Sequence, residues 1–154
     1  MRPADSADLD DLVSLNAVVQ RWHANNYPKH FRADPNARAL RQFFATCLQD
    51  PHAHILLALR KGQILAYLMA RQYLRPNSPL THARNRMHIE HIAVLPSAQR
   101  QGIGKALISR IEATAREQRC DEIMLDTWAD NVDAQAAFGK SGFRPQRYWY
   151  SKEL

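Results

Sequence analysis

The chain has 154 residues, a formal net charge of +6 and 45% hydrophobic residues, which suits one globular domain over residues 1–154 and argues against disorder. No hydrophobic run approaches the roughly 18 residues of a membrane span, and residues 1–8 lack the apolar core of a signal peptide, so we expect a cytoplasmic protein. The positive charge is spread along the chain, without the basic run that is typical of nucleic-acid binding.

Two helices are predicted at the start of the chain. Asp5 or Ser6 caps the first, which we expect to end near Trp22 and His23, because turn-forming residues follow. The second opens at residues 34–35, with its proline placed early, where the missing N–H does no harm. Apolar residues recur at helical spacing in both segments.

Three strands are predicted next. A hairpin turn at Lys61 and Gly62 joins the first two, and a loop marked by prolines separates the second from the third. The predicted strands cover residues 54–60, 63–73 and 87–95.

The second half of the chain alternates helices with strands. The predicted elements are a helix over 102–119, a strand over 122–127, a helix over 131–141 and a last strand over 143–150. Gly142 closes the second of these helices. A hairpin-rich front half followed by strand–helix alternation predicts an α/β fold of three layers with a mixed sheet.

Residues 99–106 follow the third strand and form a loop with two glycines. The first N–H groups of a helix have no helical partner, and the helix dipole adds partial positive charge, so such a loop suits a phosphate. A P-loop is excluded, because it requires Gly at Gln99 and Ser or Thr at Ala106. A dinucleotide fingerprint is excluded, because it requires Gly at Leu107. For this segment alone, a plain helix-starting turn remains an alternative.

Two segments together resemble the GNAT superfamily of N-acetyltransferases. Residues 99–104, Gln-Arg-Gln-Gly-Ile-Gly, match the family pattern Gln/Arg-x-x-Gly-x-Gly/Ala. Downstream, Asn131-x-x-Ala134 and Phe138-x-Lys140-x-Gly142-Phe143 are similar to the family's second cofactor segment. The order of the predicted elements agrees as well, so the resemblance covers nearly the whole chain.

The resemblance implies a three-layer α/β/α GNAT-like fold whose mixed, mostly antiparallel central sheet splays after the strand 87–95. It also implies a homodimeric transferase that moves the acetyl group of acetyl-CoA directly to a primary amine of a small molecule, protein or peptide. We expect no metal ion, since Cys47 and Cys120 do not stand in a metal-ligand spacing. We also expect neither a nucleic acid nor a membrane as partner.

The resemblance places acetyl-CoA along the strand end, the glycine loop and the last helix. Backbone groups at the strand end pair with the pantetheine arm, and the N–H of Ala93 or Val94 polarises the thioester carbonyl. Loop N–H groups hold the pyrophosphate, and Lys140 reaches the terminal phosphate of the adenosine. The implied cofactor-binding residues are Ile92, Ala93, Val94, Gln99, Arg100, Gln101, Gly102, Ile103, Gly104, Lys105, Ala106, Asn131, Phe138 and Lys140.

A base must take a proton from the amine before the amine attacks the thioester. Strand periodicity places His88, Glu90, Ile92 and Val94 on one face of the third strand and His91 on the other. In several members of the family a carboxylate or histidine at these positions is the base, which implies Glu90 as base with His88 as helper or substitute. An ion pair between Glu90 and an arginine is the alternative.

The general acid departs from the family pattern. A tyrosine often precedes the Gly-Phe turn and protonates the leaving thiolate, but Phe138 stands there and has no proton to give. Solvent, or Tyr148 or Tyr150 from the last strand, can replace it, because a thiol of pKa about 8.5 leaves with little help.

Aromatic residues after the first helix are candidates for binding the acceptor through cation–π contacts. They are equally consistent with an ordinary core. These residues are Trp22, His23, Tyr27 and Phe31.

Two other functions are compatible with the sequence. A non-catalytic acyl-CoA-binding sensor or scaffold module is favoured by Phe138, which lacks the acid's proton. A nucleic-acid-binding protein is suggested only by the net charge, and a steep salt dependence of binding would be its signature.

Overall fold

The computed structural model describes residues 1–154. Helices and strands follow in the predicted order, apart from the two ends of the chain. None of the helices combines the length and hydrophobicity of a transmembrane segment. The elements are β1 Arg2–Pro3, α1 Leu9–Asn26, α2 Ala37–Gln49, β2 Ala53–Arg60, β3 Gln63–Arg75, β4 Arg84–Val94, α3 Ile103–Glu117, β5 Glu122–Leu125 and α4 Val132–Lys140.

The five strands form one sheet in the order β1-β2-β3-β4-β5. β1 to β4 are antiparallel neighbours, and β5 is parallel to β4. α1 and α2 pack on one face of the sheet, and α3 packs on the other. The predicted three-layer α/β fold with a mixed, mostly antiparallel sheet is therefore confirmed.

Side-chain alternation along β3 divides the core in two. Tyr67 and Met69 face α1 and α2, whereas Ala66, Leu68 and Ala70 face α3. All five are buried. A strand that is buried on both faces carries a continuous apolar run, and this is why β3 lies at the centre of the fold.

β4 contains a bulge in its pairing with β3. Met69 pairs with His91, but Ala70 pairs with Ile89, so Glu90 is an extra residue without a partner. A bulge interrupts the regular alternation of side chains and bends the strand. Residues before and after Glu90 therefore cannot be assigned to faces by counting in twos.

The bulge corrects the predicted faces of this strand. His88 and Glu90 lie on one side, where both meet Tyr73. Ile92 and Val94 do not share that side, because they pack against the α3 core. His91 lies on the same side as Glu90, which α1 and α2 cover, and its ring contacts the rings of Phe44 and Tyr67.

β4 and β5 pair only over residues 86–89 and 122–125. Beyond that point, residues 90–94 of β4 have no strand neighbour on the β5 side; we call these residues the open edge. The predicted splay of the sheet is confirmed, and it leaves a cleft between β4 and β5.

Two helix boundaries differ from the prediction. Trp22 and His23 lie inside α1, which continues to Asn26. α2 begins later than predicted, because Asn36 is its cap: the Asn36 side chain accepts a hydrogen bond from the N–H of Ala39 at 2.9 Å.

The predicted last strand over 143–150 is wrong. No helix or strand follows α4, and Tyr148, Trp149 and Tyr150 are 76%, 85% and 89% exposed. Aromatic residues favour a strand only where a neighbouring strand and a packing surface receive them. No backbone hydrogen bond joins this tail to β5, so the outer edge of β5 is also unpaired.

A buried carboxylate fastens the start of the chain to α1. Arg2 donates from both terminal nitrogens to the two oxygens of Asp8, at 2.6 Å each. The N–H of Asp5 also donates to Asp8, at 2.9 Å, which completes a capping box. The hydrogen bonds from Arg2 hold the pKa of Asp8 below its usual range, against the opposing effect of burial.

Asp8→Asn is expected to lower the free energy of unfolding at pH 7 by about 1–3 kcal/mol, because Arg2 loses its anionic acceptor. Since folding lowers the pKa of Asp8, the carboxylate stabilises the fold above pH about 4, and this stabilisation is lost as pH falls through the folded-state pKa. Urea unfolding from neutral to acid pH should give two stability curves that converge in acid. The exposed Asp34→Asn is the matched control, and a gap that stays constant at all pH values would contradict the prediction.

Candidate active site

The loop between β4 and α3 presents a row of free N–H groups. Gly102 takes a φ of 77° and Arg100 one of 59°, and the N–H of Ala106 donates to the carbonyl of Gly102 at 3.0 Å. The backbone N–H groups of residues 100–105 have no acceptor within the protein. With the dipole of α3, they form the kind of concave donor surface that binds a phosphate.

The two glycines of this loop are used differently. The positive φ of Gly102 is a conformation that strains any other residue. A Cβ added at Gly104 would make only ordinary contacts, at 3.9 Å, so packing within the protein leaves room for a side chain there. Arg100 and Lys105 are exposed beside the free N–H groups, where they add full positive charge.

The open edge of β4 lies directly before this loop. The N–H of Leu95 donates to β3 at 2.9 Å, so strand alternation turns the backbone groups of Ala93 toward β3 and those of Ile92 and Val94 away from it. Gln99 Nε2 donates to the carbonyl of Val94 at 3.2 Å, which agrees with that direction. Ile92 and Val94 therefore face the cleft with their backbone groups, and Ala93 does not.

Glu90, the bulged residue, is held by one of its two oxygens. Arg71 Nε at 3.2 Å and the hydroxyl of Tyr73 at 2.7 Å both donate to Oε1, and Arg71 also pairs with Asp50. The hydrogen bond to Glu90 raises the pKa of Tyr73. Oε2 makes no hydrogen bond and is not enclosed by protein. The ion pair with an arginine is thus present, and it leaves one carboxylate oxygen open.

His88 meets a different carboxylate. Its Nε2 lies 2.9 Å from Oδ1 of Asp126, directly after β5, and this hydrogen bond lowers the pKa of Asp126. The ring of His88 lies 6.0 Å from that of Tyr73, between centroids. His88 and Glu90 therefore border the same tyrosine, although no hydrogen bond joins them.

Sequence reasoning missed His91, which regular alternation placed on the other face. Its Nδ1 lies 3.2 Å from the hydroxyl of Tyr67, which accepts a hydrogen bond from Asn16 Nδ2 at 3.0 Å. The ring lies beside Phe43 and Phe44 of α2, and burial lowers the pKa of His91. The bulge is what brings Glu90 to the same face as this ring, and the sequence carries no signal for the bulge.

The aromatic residues predicted for acceptor binding contact one another. His23 stacks on Phe31 with 4.6 Å between ring centroids, and Trp22 lies edge-on to His23 at 5.3 Å. Tyr27 stacks on Trp128, with 3.8 Å between centroids. Sequence reasoning missed Trp128, because it follows β5 and is distant in the chain.

Tyr27 and Trp128 connect the loop after α1 with the loop after β5. Tyr27 follows α1, whereas Trp128 lies in the loop between β5 and α4. The hydroxyl of Tyr27 also donates to Asp130 of that loop, at 2.8 Å. These rings are therefore already in contact with each other rather than arranged as an empty aromatic cage.

The remaining predicted cofactor residues lie on α4. Asn131 caps this helix, because its Oδ1 accepts a hydrogen bond from the N–H of Ala134 at 3.2 Å. Phe138 packs edge-on against Phe143, with 6.1 Å between centroids, and Lys140 is exposed at the end of the helix.

Tyr148, the predicted substitute acid, is not brought to the predicted base. It lies in the irregular tail after α4, and it makes no hydrogen bond with Glu90 or His88. Nowhere in the structure do three or more His, Cys, Asp or Glu side chains lie close enough together to hold a metal ion.

Comparison with known proteins identifies relatives of this chain. It matches the family model for the acetyltransferase (GNAT) family over residues 16–143. It is 30% identical to the aminoalkylphosphonate N-acetyltransferase of Salmonella typhimurium, over 76% of this chain and 73% of that one. It is 26% identical to the aminoglycoside N(6')-acetyltransferase type 1 of Klebsiella aerogenes, over 93% and 88%. The solved aminoglycoside 6'-N-acetyltransferase of Acinetobacter haemolyticus superposes with a TM-score of 0.75 at 26% identity, over 99% and 97%.

Proposed function

This chain belongs to the acetyltransferase (GNAT) family, and we propose that it transfers the acetyl group of acetyl-CoA directly to a primary amine of a small molecule or of a protein or peptide. It is an acyltransferase of a family that uses acetyl-CoA, and its relatives are N-acetyltransferases. The observation that carries the proposal is the row of free N–H groups at residues 100–105, directly after the open edge of β4. A pyrophosphate suits the first feature and the peptide-like arm of CoA suits the second.

Acetyl-CoA, in this proposal, follows β4 and its loop. The N–H groups of residues 100–105 hold the pyrophosphate. The backbone groups of Ile92 and the N–H of Val94 pair with the pantetheine arm and its thioester as an added strand does, whereas the carbonyl of Val94 accepts from Gln99. Because Ala93 is turned toward β3, the N–H of Val94 is the donor that polarises the thioester carbonyl.

Exposed cationic side chains and residues of α4 complete the proposed site for acetyl-CoA. Arg100 and Lys105 flank the pyrophosphate, and Lys140 suits the phosphate on the adenosine. Asn131 starts the helix along the other wall, and Phe138 faces the core from it.

The proposed reaction is direct attack in a ternary complex. The amine nitrogen bonds to the carbonyl carbon, the carbon–sulfur bond breaks and the thiolate leaves. The nitrogen then loses its second proton to solvent to give the amide, and the thiolate takes a proton from solvent. Before the attack, the ammonium donates to Glu90 Oε2 and loses its proton there, directly or through water, with His88 as helper. Holding the two reactants together supplies much of the rate.

A small-molecule amine is the acceptor class that the relatives favour. One relative is named for aminoalkylphosphonates and two for aminoglycosides. We propose that the acceptor approaches between the sheet and the ring cluster of α1 and its loop. The exposed parts of that cluster border the path to Glu90; its residues are Trp22, His23, Tyr27 and Phe31.

Acetyl-CoA at about a hundredfold excess over its dissociation constant is expected to raise the free energy of unfolding by about 2.7 kcal/mol. Adding an aminoalkylphosphonate, an aminoglycoside or a short peptide should then release free thiol, measured with a thiol reagent. If acetyl-CoA does not stabilise the protein, the proposed acetyl-CoA site is contradicted. Stabilisation without thiol release from any amine would support the acyl-CoA sensor instead.

Glu90→Gln is expected to lower kcat/KM by a factor of about 10² to 10⁴, because an amide cannot take the proton of the ammonium. Its oxygen still accepts from Arg71 and Tyr73, so stability and acetyl-CoA binding should remain. His88→Asn is the comparison and should cost less. Full turnover of the Gln variant across the pH range would remove Glu90 from the mechanism.

We further propose a homodimer, because a single chain leaves two strand-forming surfaces unpaired. These are the outer edge of β5 and the exposed aromatic residues of the tail. Both are covered if the tail of each copy adds as a strand to β5 of the other copy.

Sedimentation of the full chain should give twice the mass of one chain. The triple variant Tyr148→Ser, Trp149→Ser, Tyr150→Ser should give a monomer. A monomeric wild-type protein would count against the dimer.

A further inference from the structure

His91 is held at Nδ1 by the buried side chain of Tyr67, which the buried side chain of Asn16 holds in turn. Asn16 Nδ2 donates to the oxygen of Tyr67 at 3.0 Å, and that oxygen lies 3.2 Å from Nδ1 of His91. The hydroxyl of Tyr67 has two hydrogen-bond partners, the amide nitrogen of Asn16, which can only donate, and Nδ1, so its one proton points to Nδ1. Nδ1 is therefore an acceptor, and a neutral His91 carries its own proton on Nε2.

No group of the protein accepts that outward proton. Nε2 of His91 makes no hydrogen bond within the protein and is not fully enclosed, so it remains accessible to a ligand. The half-exposed ring of Phe43 lies 6.1 Å away, between centroids. Burial lowers the pKa of His91, and Glu90 and His23 are the titratable neighbours that act on it, so the ring is neutral at pH 7.

Glu90 offers the complementary group beside it. Its Oε1 is taken by Arg71 and Tyr73, and its Oε2 is open. The bulge turns these two consecutive residues toward the same side of β4. One fixed hydrogen-bond acceptor and one fixed donor thus lie next to each other where the acceptor substrate is expected.

We propose that Glu90 Oε2 and His91 Nε2–H form a two-point site for a primary amine that carries an oxygen atom on the neighbouring carbon. This inference rests on the proposed acetylation of an amine. The ammonium donates to Oε2, and the oxygen of a hydroxyl, carbonyl or acid group accepts from Nε2–H. Amino alcohols, amino sugars and the α-amino groups of amino acids have this arrangement, whereas simple alkylamines and the lysine side chain do not.

The same geometry assigns His91 to binding rather than to proton removal. To accept a proton at Nε2, the neutral ring would first have to carry its own proton on Nδ1. The hydroxyl of Tyr67 would then lose its acceptor in a fully buried position, where an unsatisfied polar group is costly. His91 therefore selects the amine substrate by a hydrogen bond, and Glu90 takes the proton from the ammonium group.

Nitrogen-15 NMR of the full chain tests the ring state without any acceptor. At pH about 7.5 we expect His91 as the neutral Nε2–H tautomer, its signals identified by their loss in His91→Asn. The Nδ1–H tautomer or an imidazolium at that pH would overturn the proposal.

Matched amines test the two-point site with acetyl-CoA as donor. Ethanolamine and n-propylamine differ by one oxygen, and the wild-type protein should prefer ethanolamine in kcat/KM by about two- to tenfold, the worth of one hydrogen bond. His91→Asn keeps an acceptor for Tyr67 but does not reach the position of Nε2, so it should abolish this preference, chiefly through KM. His91→Gln, whose amide reaches that position, should restore part of it.

The control and the outcomes separate this site from the proposed function. The exposed His82→Asn should keep the wild-type preference. Equal use of both amines by the wild-type protein, or a preference that survives in His91→Asn, would overturn the two-point site alone. Bound acetyl-CoA with no thiol release from any amine would overturn the acetylation itself and this site with it.

Discussion

The separation of β4 from β5 after Ile89 is the constraint on which the rest of the structure depends. Once the parallel pairing stops, the backbone groups of residues 90–94 that point away from β3 have no partner in a neighbouring strand, and the carbonyl of Val94 accepts instead from the side chain of Gln99. Unpaired backbone groups need a ligand or water. The free N–H groups of residues 100–105 follow within a few residues, so one continuous stretch of backbone can serve both the arm and the phosphates of a single long ligand.

The bulge in β4 lies at the same point and determines which polar side chains stand together there. It places Glu90 and His91 side by side, and the protein then fixes one atom of each: Arg71 and Tyr73 hold Oε1, and Tyr67 holds Nδ1. Each side chain is left with one open atom. Groups that are held in this way lose little entropy on binding, which is what precise positioning of a substrate requires.

Features that depend on nearby residues could be predicted from the sequence, and features that depend on pairing could not. The glycine loop and α3 follow from local spacing, and β2 and β3 follow from apolar runs around Lys61 and Gly62. The bulge at Glu90 exists only through the register of β4 with β3, so alternation placed Glu90 and His91 on opposite faces although they share one. The tail around Trp149 has the composition of a strand but no neighbour to pair with. Trp128 was missed because its contact with Tyr27 joins distant parts of the chain.

The stack of Tyr27 on Trp128 has a consequence for the two loops that carry these rings. An aromatic pair contributes on the order of 1 kcal/mol, and the hydrogen bond from Tyr27 to Asp130 is exposed, so water competes for both of its groups. At a cost of about 1 kcal/mol, roughly one molecule in six has the two rings apart. The loop after α1 and the loop after β5 are thus fastened to each other only weakly, and a ligand that passes between them separates two side chains without unfolding any helix or strand.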